Sequence, residues 1–290
     1  MIRVQRVLAP NPSIFTLEGT NTWVLGEGPT LVVDPGPADD GHLREVARTA
    51  GQVAHVLVTH AHEDHAEGAA AFADRVGAPL HAWRLDGAER IRDGERFDAV
   101  GASLTAVHTP GHSADSVAFL APVDRALFTG DSVLGTGTSF VDPPDGDLVK
   151  YLASLQRMLE LAPRTIYPGH GPVVLDARAK LREYLDHRAA REQQIVDALA
   201  EGPRKVEELV SSIYVEYPSE VHPLAARSVT AHLRKLEAEG RAEGKGRGKA
   251  RAWSAVAPKA CARCGRPVKG RARYCASCSI VLLQEGTPSP

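Results

Sequence analysis

With 290 residues, 43% of them apolar and 24% charged, the chain is long enough for about two globular domains and needs no disulfide framework to hold a core. No run of about 18 apolar residues occurs, which excludes a helical membrane span, and no apolar block follows Arg3 and Arg6, so a reducing cytoplasm is expected rather than secretion. The net charge of −2 hides an asymmetry: 18 Lys and Arg face 28 Asp and Glu up to Gly202, and 16 face 8 from Pro203 onward, so the acidic body carries a basic final third suited to an anionic partner, nucleic acid first.

Up to about residue 175, strands and helices alternate. Thr30–Val33, Val56–Val58, Pro79–Trp83, Ser103–His108, Val117–Leu120, Ala126–Thr129 and Arg164–Tyr167 are short apolar or β-branched runs bounded by Gly, Pro or Asp, and are predicted strands. Helices are predicted over Gly41–Ala50, Glu67–Val76 and Asp147–Leu161. The last places Leu148, Leu152, Leu155 and Leu159 on one face, with Asp145 as cap and Pro163 as stop. A long polar helix follows over Asp176–Ala200. Two more helices, Val206–Ile213 and Pro223–Glu239, precede a Gly-, Lys- and Arg-rich hairpin over Gly240–Ala255, which is the element order of a winged helix. Three domains are expected: 1–175, 176–256 and 257–285.

Chemistry concentrates where strands end. Thr59-His60-Ala61-His62-Glu63-Asp64-His65 follows a predicted strand and holds three imidazoles and a carboxylate at metal-ligating spacing. His112, Asp131 and His170 sit beside Gly111, Gly130 and Gly169, where glycine lets backbone approach a crowded centre. Five His and two Asp suffice for two divalent ions. His42, His55, His81, His187, His222 and His232 are read as structural or solvent-facing, His108 as a candidate support for the ligands, and Glu63 as a rim residue.

This set, His60-x-His62-x-Asp64-His65 with His112, Asp131 and His170, resembles the metallo-β-lactamase superfamily over about residues 1–175. The resemblance implies an α/β fold, an αββα sandwich with the metals at one edge. It implies that His60, His62 and His112 hold one ion and Asp64, His65 and His170 the second. Asp131 would bridge, and Asp34 would support the site from behind. Two Zn²⁺ (or Mn or Fe) ions with a bridging hydroxide would then hydrolyse the substrate, with Asp64 and Asp131 as the catalytic residues. An aspartate at the bridging position argues against a true β-lactamase and for thioesterase or phosphodiesterase branches.

The segment Tyr184–Ile195, with Gly130–Gly135 and Ile166–Pro172, is similar to the β-lactamase-like protein 2 family over roughly residues 10–255. Animal members of that family are mitochondrial endoribonucleases acting on single-stranded RNA. The expected function is therefore cleavage of phosphodiester bonds in single-stranded RNA. Arg227, His232, Arg234 and Lys235 on the second winged-helix element and Arg241, Lys245, Arg247, Lys249 and Arg251 on the wing are expected to hold the strand. Two rivals stand beside this reading: a small-molecule thioesterase or lactonase of the hydroxyacylglutathione hydrolase type, and a nucleic-acid-binding regulator with vestigial catalysis. Cys261-x-x-Cys264 and Cys275-x-x-Cys278 carry all four cysteines at the spacing of a structural Zn²⁺ ribbon, and residues 240–273 hold 11 bases and one acid, compatible with nucleic acid.

Overall fold

Strands form where the apolar runs are cut by Gly, Pro or Asp, and up to residue 187 they pair into two sheets. The computed structural model describes residues 2–256, 259–260, 264 and 267–268. The first sheet orders β1 (Val4–Leu8), β2 (Asn21–Leu25), β3 (Thr30–Val33), β4 (Val53–Leu57), β5 (Leu80–Ala82) and β6 (Glu89–Arg90) side by side. The second comprises β7 (Arg96–Ala99), β8 (Ala102–His108), β9 (Val117–Ala121), β10 (Ala126–Gly130) and β11 (Thr165–Pro168), in reverse spatial order. Parallel pairing joins β3 to β4, β4 to β5, β5 to β6 and β10 to β11.

Trp23, Leu25, Leu31, Val33 and Leu57 of the first sheet meet Phe97, Leu104, Phe119 and Phe128 of the second, so the main core lies between the sheets. Five buried residues of one sheet facing three phenylalanines and a leucine of the other keep water out of that layer. On the outer face of the first sheet, α1 (Asp40–Ala50) and α3 (Ala69–Val76) bury Leu43, Val46 and Phe72 against Val24, Val32 and Val56. Between them in sequence lies α2 (Glu63–Ala66), a single turn inside the His-rich segment. The helix predicted from Glu67 therefore begins later, at Ala69. Gly68 separates the two: a Cβ there would meet the Pro37 carbonyl oxygen at 2.7 Å, so the chain presses on the Asp-Pro-Gly turn at this point.

Behind the second sheet, α4 (Leu148–Glu160) buries Tyr151, Leu155 and Met158. Its cap is Asp147, which accepts from the Val149 and Lys150 amides, and not Asp145. Asp145 instead accepts from the Ala114 amide at 3.3 Å, in the loop that carries His112. The layer order is helix, sheet, sheet, helix, an αββα sandwich. Every ligand-bearing loop leaves the C-terminal end of a strand: β4, β8, β10 or β11.

The helix α5 (Ala177–Ala200) runs across the division of the chain at His187. In the second unit, α6 (Val206–Ile213) and α7 (His222–Ala238) pack with Ile195 and Leu199 around Val210, Val229, Leu233 and Trp253. A small sheet of β12 (Arg204–Lys205), β14 (Ala252–Ala255) and β13 (Ala242–Lys245) completes a winged helix. Three residues expected on its basic face turn out otherwise. His232 is fully buried in α7, 3.6 Å from Glu192, because the same face must pack on α5. Lys235 and Arg241 do not project freely: both pair with Glu192, at 2.7 and 2.6 Å. Among the described residues no helix is long and apolar enough to cross a membrane.

Candidate metal centre

The parallel strand β4 ends at Leu57, and the chain turns through Thr59 into the His-rich segment. Asp34 fixes that turn. It sits at φ 53°, buried, at the end of β3, where its amide donates to the Leu57 carbonyl. Its carboxylate accepts from the Thr59 amide (2.7 Å), the Thr59 hydroxyl (2.8 Å) and His65 Nδ1 (2.9 Å). A non-glycine residue held at positive φ is costly, and three charge-assisted hydrogen bonds offset that cost.

The structure brings the seven predicted side chains together in two groups. One donor atom each from His60, His62, His112 and Asp131 lie within 4.8 Å of one another, and so do those of Asp64, His65 and His170. Asp131 reaches both groups: Oδ1 lies 3.3 Å from His65 Nε2 and 3.2 Å from His170 Nε2, and Oδ2 lies 3.8 Å from His112 Nε2. Close approach depends on glycine. A Cβ on Gly169 would stand 2.6 Å from His65 Cε1 and 2.7 Å from Asp131 Oδ1. One on Gly130 would stand 2.4 Å from the Thr59 hydroxyl.

Four of the imidazoles are locked in one tautomer from behind. Thr59 commits its hydroxyl proton to Asp34, so its oxygen accepts from His60 Nδ1 at 3.0 Å. His65 Nδ1 donates to Asp34, His112 Nδ1 to the Phe140 carbonyl (2.9 Å), and His170 Nδ1 to the Gly19 carbonyl (3.2 Å). In its neutral form each therefore turns an Nε2 lone pair inward. Those lone pairs face other ring nitrogens: His60 Nε2 and His112 Nε2 lie 3.0 and 3.2 Å from His62 Nδ1, whose single proton can serve only one of them, and His65 Nε2 lies 3.2 Å from His170 Nε2. Asp131 Oδ1 is buried with no hydrogen bond. Acceptors converging on acceptors repel unless a cation lies among them, and this N- and O-donor set suits two divalent transition-metal ions.

The electrostatics make the same demand for positive charge, which an ion or an extra ring proton can meet. Burial favours neutral rings and holds His60 and His112 below the ordinary imidazole range. Burial acts the same way on His65 and His170, but the Asp131 carboxylate outweighs it and raises both, His170 to about 9. Burial would raise Asp131, yet His65 and His170 hold it well below the usual carboxylate range. The group around Asp131 calls for positive charge.

Several supporting residues escaped the sequence reading. Asn21 straps the His170 loop: its side-chain amide donates to the Pro168 and Gly171 carbonyls at 3.0 and 2.9 Å, and Trp23 Nε1 donates to Pro168 as well. Thr20 reaches Asp64 Oδ2 at 3.4 Å. Asp115 accepts from the Ala61 amide, and Ser139 stands 3.1 Å from His112 Nδ1. The available signal was Thr20-Asn21-Thr22, three polar residues that open a strand and are wholly buried. His108 instead stacks on Trp83, with ring centroids 3.7 Å apart, and makes no contact with the ligand set. Glu63 is exposed. The buried Arg188 and Arg191, from the segment that carried the second resemblance, act within the winged-helix unit: Arg188 bonds Ser228, and Arg191 lies over the Tyr214 ring at 3.9 Å. Cys261, Cys275 and Cys278 lie outside the described residues, and the zinc-ribbon reading with them. Cys264 is exposed.

A sandwich with paired His and Asp groups at one edge defines a class, and sequence comparison agrees with it. The metallo-beta-lactamase superfamily description matches residues 15–94 and 81–170, and the beta-lactamase associated winged helix domain matches residues 206–253. The chain belongs to the metallo-beta-lactamase superfamily, a family of hydrolases, and carries its associated winged helix. Among its relatives, a beta-lactamase-like protein 2 homolog of Drosophila melanogaster is 34% identical, covering 82% of this chain and 89% of that protein. An atrochrysone carboxyl ACP thioesterase of Aspergillus chevalieri is 36% identical over 76% of this chain and 75% of its own. A metallo-beta-lactamase family protein of Thermus thermophilus shares the fold, with a TM-score of 0.73 at 23% identity over 87% of this chain and 98% of that one.

Proposed function

We propose that this chain is a metal-dependent acyl hydrolase that cleaves an uncharged ester or thioester. The observation that carries this reading is the charge of the loops around the donor cluster. Residues 9–20, 59–68, 109–116, 130–147 and 168–176 contain no Lys or Arg, yet hold Glu18, Glu63, Asp64, Glu67, Asp115, Asp131, Asp142, Asp145, Asp147 and Asp176. Two divalent ions would offset Asp64, Asp131 and part of the rest, but eight further acids and no base surround them, so an extended polyanion is less favoured than a neutral acyl group. The thioesterase among the relatives is consistent with it.

His60, His62 and His112 would hold one ion, Asp64, His65 and His170 the other, with Asp131 spanning both. Bound there, the ions would supply a water of lowered pKa and polarise the carbonyl. The chain's own residues do the remaining work. Asp34, Thr59, Gly19 and Phe140 keep four imidazoles in the ligating tautomer. Asp64, 28% exposed in its side chain, makes its contacts through Oδ2, which leaves Oδ1 to take the proton shed by the attacking water. As the water oxygen bonds to the acyl carbon, the C–S or C–O bond breaks and that proton passes to the leaving thiolate or alkoxide.

Single-stranded RNA cleavage is the second reading, favoured by the winged helix and the basic balance after Pro203. Internal pairing reduces the free charge there, since Lys235 and Arg241 meet Glu192, and Arg251 meets Glu237. One panel decides between them: acyl thioesters, aryl esters and a short labelled RNA, each with metal-loaded protein and with Asp131→Ala. Thioester turnover lost in Asp131→Ala is expected. RNA cleavage with inert thioesters would overturn the first reading.

A further inference from the structure

The loop Asn11–Thr20 is tightly built. Ser13 Oγ accepts from the Phe15 and Thr16 amides, Thr16 donates to the Asn11 carbonyl, and Asn11 bonds Thr20 through both its side-chain amide atoms. Yet this ordered loop turns its apolar tip outward, with Ile14 74% and Phe15 52% exposed. The Phe15 ring meets one other aromatic ring among the described residues, that of Phe140, edge to face at a centroid distance of 6.0 Å. Phe140 is itself 37% exposed.

The two rings are anchored to opposite halves of the donor cluster. Phe140 is the residue whose carbonyl holds His112. The Phe15 loop ends in Gly19 and Thr20, which hold His170 and approach Asp64 Oδ2. The segments that carry the two rings are therefore tied to opposite ligand groups, and the rings meet each other between those ties. Exposed rings on a hydrogen-bonded loop lose apolar burial that a substrate can restore, and the surrounding loops offer acids and no base.

We infer that Phe15 and Phe140 form the acyl subsite of this enzyme, a pair of aromatic jaws that grip a hydrophobic acyl or aroyl group while its carbonyl lies at the donor cluster. The inference rests on the acyl-hydrolase reading and names which acyl groups it takes: apolar ones long enough to reach the rings. Ile14 extends the same surface. A charged or very short acyl group gains nothing from it.

The test is a series of acyl thioesters from acetyl through hexanoyl and decanoyl, with benzoyl alongside, hydrolysed by the metal-loaded full chain and by Phe15→Ala, Phe140→Ala and Phe15→Leu. Phe140→Ala keeps the backbone carbonyl that holds His112. Wild type should favour decanoyl and benzoyl over acetyl in kcat/KM. Each alanine variant should cut that preference by about tenfold, chiefly through KM, and Phe15→Leu should restore most of it. Metal content and the far-ultraviolet spectrum of each variant, measured in parallel, report on the cluster and the fold. A loss of the same size for every acyl group, or a wild type indifferent to acyl length, would overturn the inference while leaving acyl hydrolysis standing. A wild type that turns over no acyl thioester at all would remove both.

Discussion

Asp34 touches no inward-facing lone pair, yet the orientation of two ligands passes through it, directly at His65 and by way of Thr59 at His60. Asp34→Asn keeps the volume and replaces one acceptor oxygen with a donor. The new NH₂ would face the Thr59 hydroxyl or His65 Nδ1–H, and one of them must turn. His65 would then carry its proton on Nε2, toward the other ligands. Metal affinity measured by titration calorimetry should fall about 10–100-fold, the range found when such supporting partners are removed. Stability should fall by only about 1–3 kcal/mol, as a buried acceptor is lost. Unchanged affinity would show that the His65 tautomer is set elsewhere. The ligands themselves were legible in sequence because metal chemistry selects residue types. Much of their orientation was not, because the acceptors behind His112 and His170 are backbone carbonyls, and every residue has one.

The helices of the second unit meet around one carboxylate. Glu192 on α5 faces His232 and Lys235 on α7 and Arg241 before β13. Burial would raise its pKa, but His232, Lys235 and Arg241 together hold it at about 2, from an ordinary 4.5. A lowered pKa contributes stability that is complete above pH 4.5 and is lost as the pH falls toward 2. With the Glu192 side chain 14% exposed, the loss amounts to about 2–3 kcal/mol. Urea unfolding of the second unit, followed between pH 6 and pH 2.5, should show that decline. Glu192→Gln should be less stable than wild type at pH 6 and should lack this part of the acid dependence. A wild-type profile superimposable on that of the variant would discard the network as a source of stability. Here the sequence misled on a particular point: His232 and Lys235 look like a solvent-facing basic stripe until α5, some 40 residues earlier, brings Glu192 against them.

Across the whole molecule, what could be read in advance was whatever repeats locally. Apolar runs between turn residues located β3 through β5 and β8 through β11 to within a few residues, and amphipathic spacing located α4. The strands β1, β2, β6, β7 and β12 were missed. Val4–Leu8 and Arg96–Ala99 carry Gln, Arg or Asp on faces that need not be buried, and β2 opens with a polar residue buried to support a distant loop. The αββα arrangement thus follows from pattern, while the packing that aims the ligands follows from contacts between stretches as far apart as Asn21 and Gly171. Such a site should bind its ions as part of folding, because acceptors that repel one another in the folded chain are free to separate in the unfolded one. Removing the ions should therefore lower the melting temperature of the first unit and leave the Glu192-centred unit near its original value. At a free metal concentration 1,000 times the dissociation constant, the linked stabilisation is about 4 kcal/mol. Calorimetry before and after exhaustive chelation, with elemental analysis confirming the loss of metal, would measure it. Restoring Zn²⁺ or Mn²⁺ should return the transition to its first position, and a stripped protein that melts where the loaded one does would mean that the inward lone pairs are relieved by protons and not by metal.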